Sequence, residues 1–292
     1  MVPWQKKGEW LELRLPQPLN SIEELKSYMN ISDAFTRKLQ QNGGVSVKGE
    51  RIRLHIFPKE SVEYMSEWMP LEVLFEDDFC LVVNKPAGLK VHADGFDPST
   101  RNRVLADAVS SYYESTGQRC KVRHIHRLDE DTTGPVLYAK HEWSQLALDE
   151  AMRVKRIGRS YVAIVQGQPA ISRGTIEAPI GKDRHHAARR RVSATGEYAV
   201  THYEVIEQLT NAALVRLQLD TGRTHQIRVH MSHLGHPIYG DTLYGGRTGI
   251  ISRQALHGEM LVFDHPFTGE KLEVAAPWPS DFEHLYSILK KI

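Results

Sequence analysis

"YAVTHYEVIEQLTNAALVRLQL" occupies residues 198–219. Two strand-like runs, 198–209 and 213–219, follow one another with no helical pattern between them. Directly after them comes HQIRVHMSHLG (225–235), where Ile227, Met231 and Leu234 share one helical face and Gly235 is the stop. The grouping recurs upstream. LEVLFEDDFCLVVNKPAG reads as a hairpin with strands at 71–75 and 79–84, and PVLYAK (135–140) and SYVAIVQG (160–167) are further strands. Helical patterns lie at 103–115 and 142–153, and SDFEHLYSILKK (280–291) puts Phe282, Leu285, Tyr286 and Leu289 on one stripe. Strands that cluster instead of alternating with helices predict an α+β fold with a mixed or antiparallel sheet, not a doubly wound one.

Residues 1–66 predict a small α+β unit of their own. SIEELKSYM (21–29) and ISDAFTRKLQQNGG (31–44) read as helices capped by Ser21 and Ser32, and VSVKGERIRL (45–54) as a strand pair turning at Lys48–Gly49. Residues 67–292 then form the larger domain. With 37 basic and 36 acidic residues the net charge is only +1, so an anionic partner must be met by local clusters, not by a global field. GKDRHHAARRR (181–191) is such a cluster: Lys182, Arg184, Arg189, Arg190 and Arg191 stand against Asp183 alone. It lacks apolar periodicity and is expected to be a loop able to meet an anionic partner, the other reading being a solvated loop. The two cysteines, Cys80 and Cys120, cannot form a disulfide framework, and no stretch has signal-peptide or membrane-span character, which points to the cytoplasm.

HIHRLDEDTTG (124–134) carries candidate chemistry. His124 and His126, two apart on a strand, face one side as a pair of metal ligands would, but no carboxylate or cysteine falls at a ligand spacing. In an extended chain Arg127 and Asp129 also share a face, and a neighbouring guanidinium favours the charged form of a carboxylate, a usable nucleophile or base. The same residues are compatible with a strand-edge salt bridge followed by a turn. A second dense stretch, LDTGRTHQIRVHMSHLGHPIYGDTLYG (219–245), leads Thr221-Gly222-Arg223-Thr224 straight into a helix, a natural anion site, with Gln226, His230 and His233 on its polar face.

HRLDEDTTG resembles the His-Arg-Leu-Asp-x-x-Thr-Ser-Gly signature of the RluA-type RNA pseudouridine synthases, and residues 219–245 resemble that family's other long signature. The likeness continues through NKPAGLKVH (84–92), SYVAIVQG (160–167), RQALHGEMLVFDHPFTGE (253–270) and PWPSDF (277–282), in the family's order, over about residues 71–285. Thr133 stands where the family usually has serine, and Arg159 where a lysine commonly precedes the tyrosine by two. The N-terminal unit is similar to the small RNA-binding domain named for ribosomal protein S-four, with Arg37 and Lys38 as its main basic residues on the second helix.

The resemblance implies isomerisation of uridine to pseudouridine in structured ribosomal or transfer RNA, after base flipping, without cofactor or metal. It implies Asp129 as nucleophile, Arg223 paired with it, and Tyr161 stacked near the base and able to take the proton from carbon 5. Leu219 would pack beneath the base, and Arg127 would fill the space it vacates. His126 belongs to the same substrate-contacting set, and Arg189, Arg190 and Arg191 would meet phosphates. No membrane or obligatory protein partner is implied, and a monomer is expected. Two rivals remain: a non-catalytic RNA-binding assembly factor, and a metal-dependent hydrolase built on the histidines.

Overall fold

The computed structural model describes residues 2–61, 64, 68–93 and 103–290. The N-terminal unit runs β1 (Trp4–Lys7), β2 (Trp10–Arg14), α1 (Asp33–Gln41), β3 (Val45–Lys48) and β4 (Arg51–Leu54), forming a sheet of order β1-β2-β4-β3. Ser32 caps α1 by accepting from the Phe35 N–H at 3.2 Å, as its sequence position predicts. Residues 21–29 depart from expectation. Ile22–Ser27 is a 3₁₀ turn, Ser21 makes no side-chain cap bond, and Leu25 alone is buried within it. One apolar anchor in six residues does not sustain an α-helix. β1 and β2 carry no strand signal that the sequence reading used. β1, with Lys6–Lys7 at its end, exists through its pairing with β2.

The larger part continues with β5 (Glu72–Glu76), β6 (Cys80–Lys85), α2 (Leu105–Ser115), β7 (Arg123–His124), β8 (Gly134–Ala139), α3 (Glu142–Arg153) and β9 (Gly158–Gln166). Then come β10 (Arg173–Glu177), β11 (Ile180–Lys182), β12 (Arg190–Val192), β13 (Val200–Leu209), β14 (Ala212–Leu219), α4 (Gln226–His233), β15 (Leu256–Asp264), β16 (Lys271–Ala275) and α5 (Ser280–Lys290). They build a six-stranded sheet of order β10-β13-β14-β9-β15-β16 and a four-stranded sheet of order β5-β6-β8-β7, all ladders antiparallel. The α+β class read from the clustered strands is the class observed.

Alternation along β6 shows how the layers are filled. Leu81 and Val83 join the core under α2, whereas Cys80 and Val82 join the core under α3. Both faces are covered, which is why the run CLVV is wholly apolar. The two sheets meet where β8 begins. The Gly258 N–H donates to Thr133 O at 2.8 Å, and a Cβ on Gly134, whose φ is +126°, would lie 2.5 Å from Gly258 O. Only glycine permits this backbone approach, and it fixes the loop that carries Asp129. The expected basic loop at 181–191 is instead a closed hairpin, with Gly181 opposite Arg191 and Lys182 opposite Arg190. Its pairing is between backbones, so apolar periodicity does not reveal it.

Candidate active site

Asp129 sits in the turn between β7 and β8, its side chain 26% exposed and its carbonyl accepting from the Thr132 N–H at 3.1 Å. The turn is pinned from behind. Lys85, fully buried, donates to Pro86 O (2.8 Å), Leu89 O (2.6 Å) and Glu130 O (2.6 Å). Burial pushes its ammonium down to about 7, against the pull of Asp131 and Asp129. Arg253 donates to Asp131 O (3.1 Å) while gripping Asp281 of α5 with two bonds of 2.7 and 2.8 Å. The His257 Nε2–H donates to Ala276 O at 3.3 Å, which leaves Nδ1 to accept the Thr133 hydroxyl at 2.8 Å. Threonine therefore serves at position 133 through the hydroxyl it shares with serine.

On the open side, Arg228 of α4 places Nη1 3.6 Å from Asp129 Oδ2. Its Nε and Nη2 bind Asp241 at 2.7 and 2.9 Å, and its guanidinium lies 5.0 Å from the Tyr244 ring centroid. Asp241 takes the bidentate bonds, so Asp129 has a facing positive charge without a hydrogen bond from it. Tyr161, on β9, and Leu219, at the end of β14, line the same cleft, with Arg127 and Thr224 at its mouth joined by a 3.1 Å bond. Tyr161 is 5% exposed. Burial pushes its phenol up, Arg159 opposes and Asp129 adds, so at neutral pH it is a protonated phenol. An adjoining cleft shares Asp129, Arg127 and Arg228 and runs past Lys90 and His92 to Ala188 on the β11–β12 hairpin.

The family profile described as RNA pseudouridylate synthase matches residues 79–233. The uncharacterized RNA pseudouridine synthase YhcT of Bacillus subtilis is 39% identical over 291 residues, spanning 98% of this chain and 95% of that one. The ribosomal large subunit pseudouridine synthase D of Vibrio parahaemolyticus is 38% identical over 275 residues, 87% of this chain and 83% of the relative. The chain belongs to the RNA pseudouridylate synthase family. Among solved structures, human RNA pseudouridylate synthase domain containing 4 superposes with a TM-score of 0.62 at 26% identity, covering 75% of this chain and 92% of that one.

In this pseudouridine synthase the structure pairs Arg223 elsewhere and sets Arg228, not Arg223, beside Asp129. Arg223 lines the cleft, but its Nη1 binds Glu197 at 2.5 Å and its Nε donates to Tyr198 O at 3.0 Å. The cause is helix phase: α4 starts at Gln226, so Arg223 stays in the preceding turn while Arg228 faces inward. His126 also departs from expectation. It is buried, accepts the Leu137 N–H on Nε2 at 3.3 Å and does not line the cleft. Burial pushes its imidazole down to about 3, so it stands as a neutral group behind the turn. Nor is the polar side of α4 solvated. Gln226 donates to Val200 O and Thr201, and His230 bonds Thr201 and Ala178 O, fastening α4 to β13 and to the segment after β10, with His233 alone of the three exposed.

Of the expected basic residues, Arg189 and Arg191 are exposed on the hairpin and Arg190 is half-buried, its N–H donating to the Tyr244 hydroxyl at 2.9 Å. Sequence reasoning missed Arg228, Asp241, Tyr244 and Lys85. The available signal was an arginine next to Ile227 on the buried side of α4, which demands a carboxylate such as Asp241.

Proposed function

We infer that this synthase uses Asp129 as the nucleophile that detaches and re-attaches a flipped uracil, with Tyr161 against the base, Leu219 beneath it and Arg228 facing the carboxylate. The observation that carries the reading is the partly exposed carboxylate of Asp129, fixed by its turn 3.6 Å from Arg228 in a cleft lined by Tyr161. The N1–C1′ bond breaks, the C5–C1′ bond forms, C5 loses a proton and N1 gains one. The product is an isomer, so the reaction itself calls for no external electron carrier. A base inside folded RNA is reached only by flipping it out. Arg127, exposed at the mouth, is placed to stack in the gap it leaves. The name of the Vibrio relative makes large-subunit ribosomal RNA the first substrate to test.

The test is release of tritium into water from ribosomal and transfer RNA transcripts labelled at C5 of uridine. The wild-type protein should release it from one class. Asp129→Asn should fall below detection while keeping its circular dichroism and RNA affinity. Release by Asp129→Asn at the wild-type rate would remove Asp129 from the chemistry.

A further inference from the structure

Four arginines line the Asp129 cleft, and three are engaged within the protein. Arg228 holds Asp241 and faces Asp129. Arg223 binds Glu197 and Tyr198 O. Arg127 donates to Thr224 Oγ1. Arg159, at the start of β9, is different. Among the described residues its guanidinium has no hydrogen-bond or ion-pair partner, and its Nε is shut off from solvent with nothing to donate to. Buried N–H groups without acceptors are rare in folded chains and call for an explanation.

The surroundings keep this guanidinium available. Nη1 lies against Gly222, where any Cβ would come within 3.1 Å, so the missing side chain leaves it room in the turn before α4. Of the groups it acts on electrostatically, burial holds His126 neutral and keeps Tyr161 a protonated phenol, and Asp129 across the cleft makes no ion pair with it among the described residues. Arg159 and Tyr161 point to the same face of β9, one pleat repeat of roughly 7 Å apart. With a flipped uracil against Tyr161, that offset is the reach from the base to the backbone of its own nucleotide. A planar fork of donors with no internal carboxylate suits two phosphate oxygens.

We propose that Arg159 binds the phosphodiester of the flipped uridine and so holds the nucleotide while its base is detached and turned. The assignment rests on the base lying against Tyr161, as inferred above. It gives the cleft an anion subsite separate from the basic hairpin. It also makes the arginine a substrate contact and not a prop of the fold.

The experiment uses large-subunit ribosomal RNA and transfer RNA transcripts labelled at C5 of uridine, with wild type, Arg159→Gln and Arg159→Lys, in two measurements. Tritium release should show KM raised about tenfold in Arg159→Gln with kcat changed less than about threefold, and mostly restored in Arg159→Lys. Equilibrium RNA binding across a salt series, in the Asp129→Asn background, should show the slope of log K against log salt reduced by about 0.7–1 by Arg159→Gln. A drop in kcat with KM and slope unchanged would move Arg159 to the reacting base and overturn the proposal, as would no change in either measurement. If wild type releases no tritium from either RNA, the catalytic reading fails. The salt slope then still decides whether Arg159 contacts phosphate.

Discussion

The turn carrying Asp129 is held from behind by Lys85, Arg253 and His257, and the arginine that faces it illustrates what a linear motif leaves open. The signature around residue 223 marks an arginine-rich turn entering a helix, and that much is legible in the letters. Which guanidinium reaches the carboxylate depends on where the helix starts, and α4 starts between the two arginines, at Gln226. The geometry separates the two arginines energetically as well. Arg228 is buried against Asp241, whose side chain is 1% exposed, whereas the Arg223 side chain is 39% exposed and its partner Glu197 70% exposed. Removing one member of a buried ion pair costs about 3–5 kcal/mol, while an exposed pair contributes about 0–1 kcal/mol. Arg228→Met should therefore cut single-turnover tritium release by about a hundredfold or more and lower the melting temperature. Arg223→Met should stay within about tenfold and melt as wild type. Arg228→Lys, which keeps charge but loses the fork, should fall between the two. A larger loss from Arg223→Met than from Arg228→Met would return the pairing role to Arg223.

Among elements, those legible in the sequence are the ones whose signals are local. α3 begins and ends where its periodicity does, and α1 begins at its serine cap. The β11–β12 hairpin was not legible, because its residues are polar and its register comes from backbone pairing. Yet its placement matters for substrate binding. The Arg190 N–H donates to the Tyr244 hydroxyl, which also contacts His225 Nδ1 at 2.9 Å. The Tyr244 ring lies 5.0 Å from the Arg228 guanidinium and 6.0 Å from that of Arg189. His225 itself stands at φ +57°, a conformation uncommon for a residue with a side chain, and its ring bond to Tyr244 helps hold it there. One tyrosine thus ties the basic hairpin to the helix carrying the arginine opposite Asp129. Replacing Arg189, Arg190 and Arg191 by glutamine leaves the backbone bond to Tyr244 intact. The expected outcome is weaker RNA binding, with a salt slope flattened by up to about 2, and kcat at saturating RNA nearly unchanged. Unchanged affinity from low to high salt would show that the hairpin does not meet phosphates.

At the scale of the whole molecule, the change in patterning near residue 66 reads as a domain boundary, and that position falls outside the described residues. The packing on either side joins the two parts. The apolar face of the N-terminal sheet, with Leu11, Leu13, Ile52 and Leu54, shares one core cluster with Phe79, Trp143 and Phe267 from beyond it. Phe79, 1% exposed, stacks on Phe267 with centroids 4.9 Å apart and meets Trp4, Phe57 and Trp143 edge-on at 5.4, 5.6 and 5.9 Å. Trp143 Nε1 donates to Asn30 O at 2.8 Å, and Glu60 closes the seam on Arg123 through bonds of 2.5 and 2.8 Å. Complementarity between surfaces far apart in sequence has no periodic signature, so the sharing of this core is not legible in the chain. A shared core should melt as one. Calorimetry of the full chain should give a single transition, and Phe79→Ala, at about 3–5 kcal/mol for a buried aromatic, should lower it by roughly 5–15 °C as a whole. Two resolved transitions, with Phe79→Ala leaving the N-terminal unit's own transition unmoved, would show that this unit holds its fold without the residues that complete its core here.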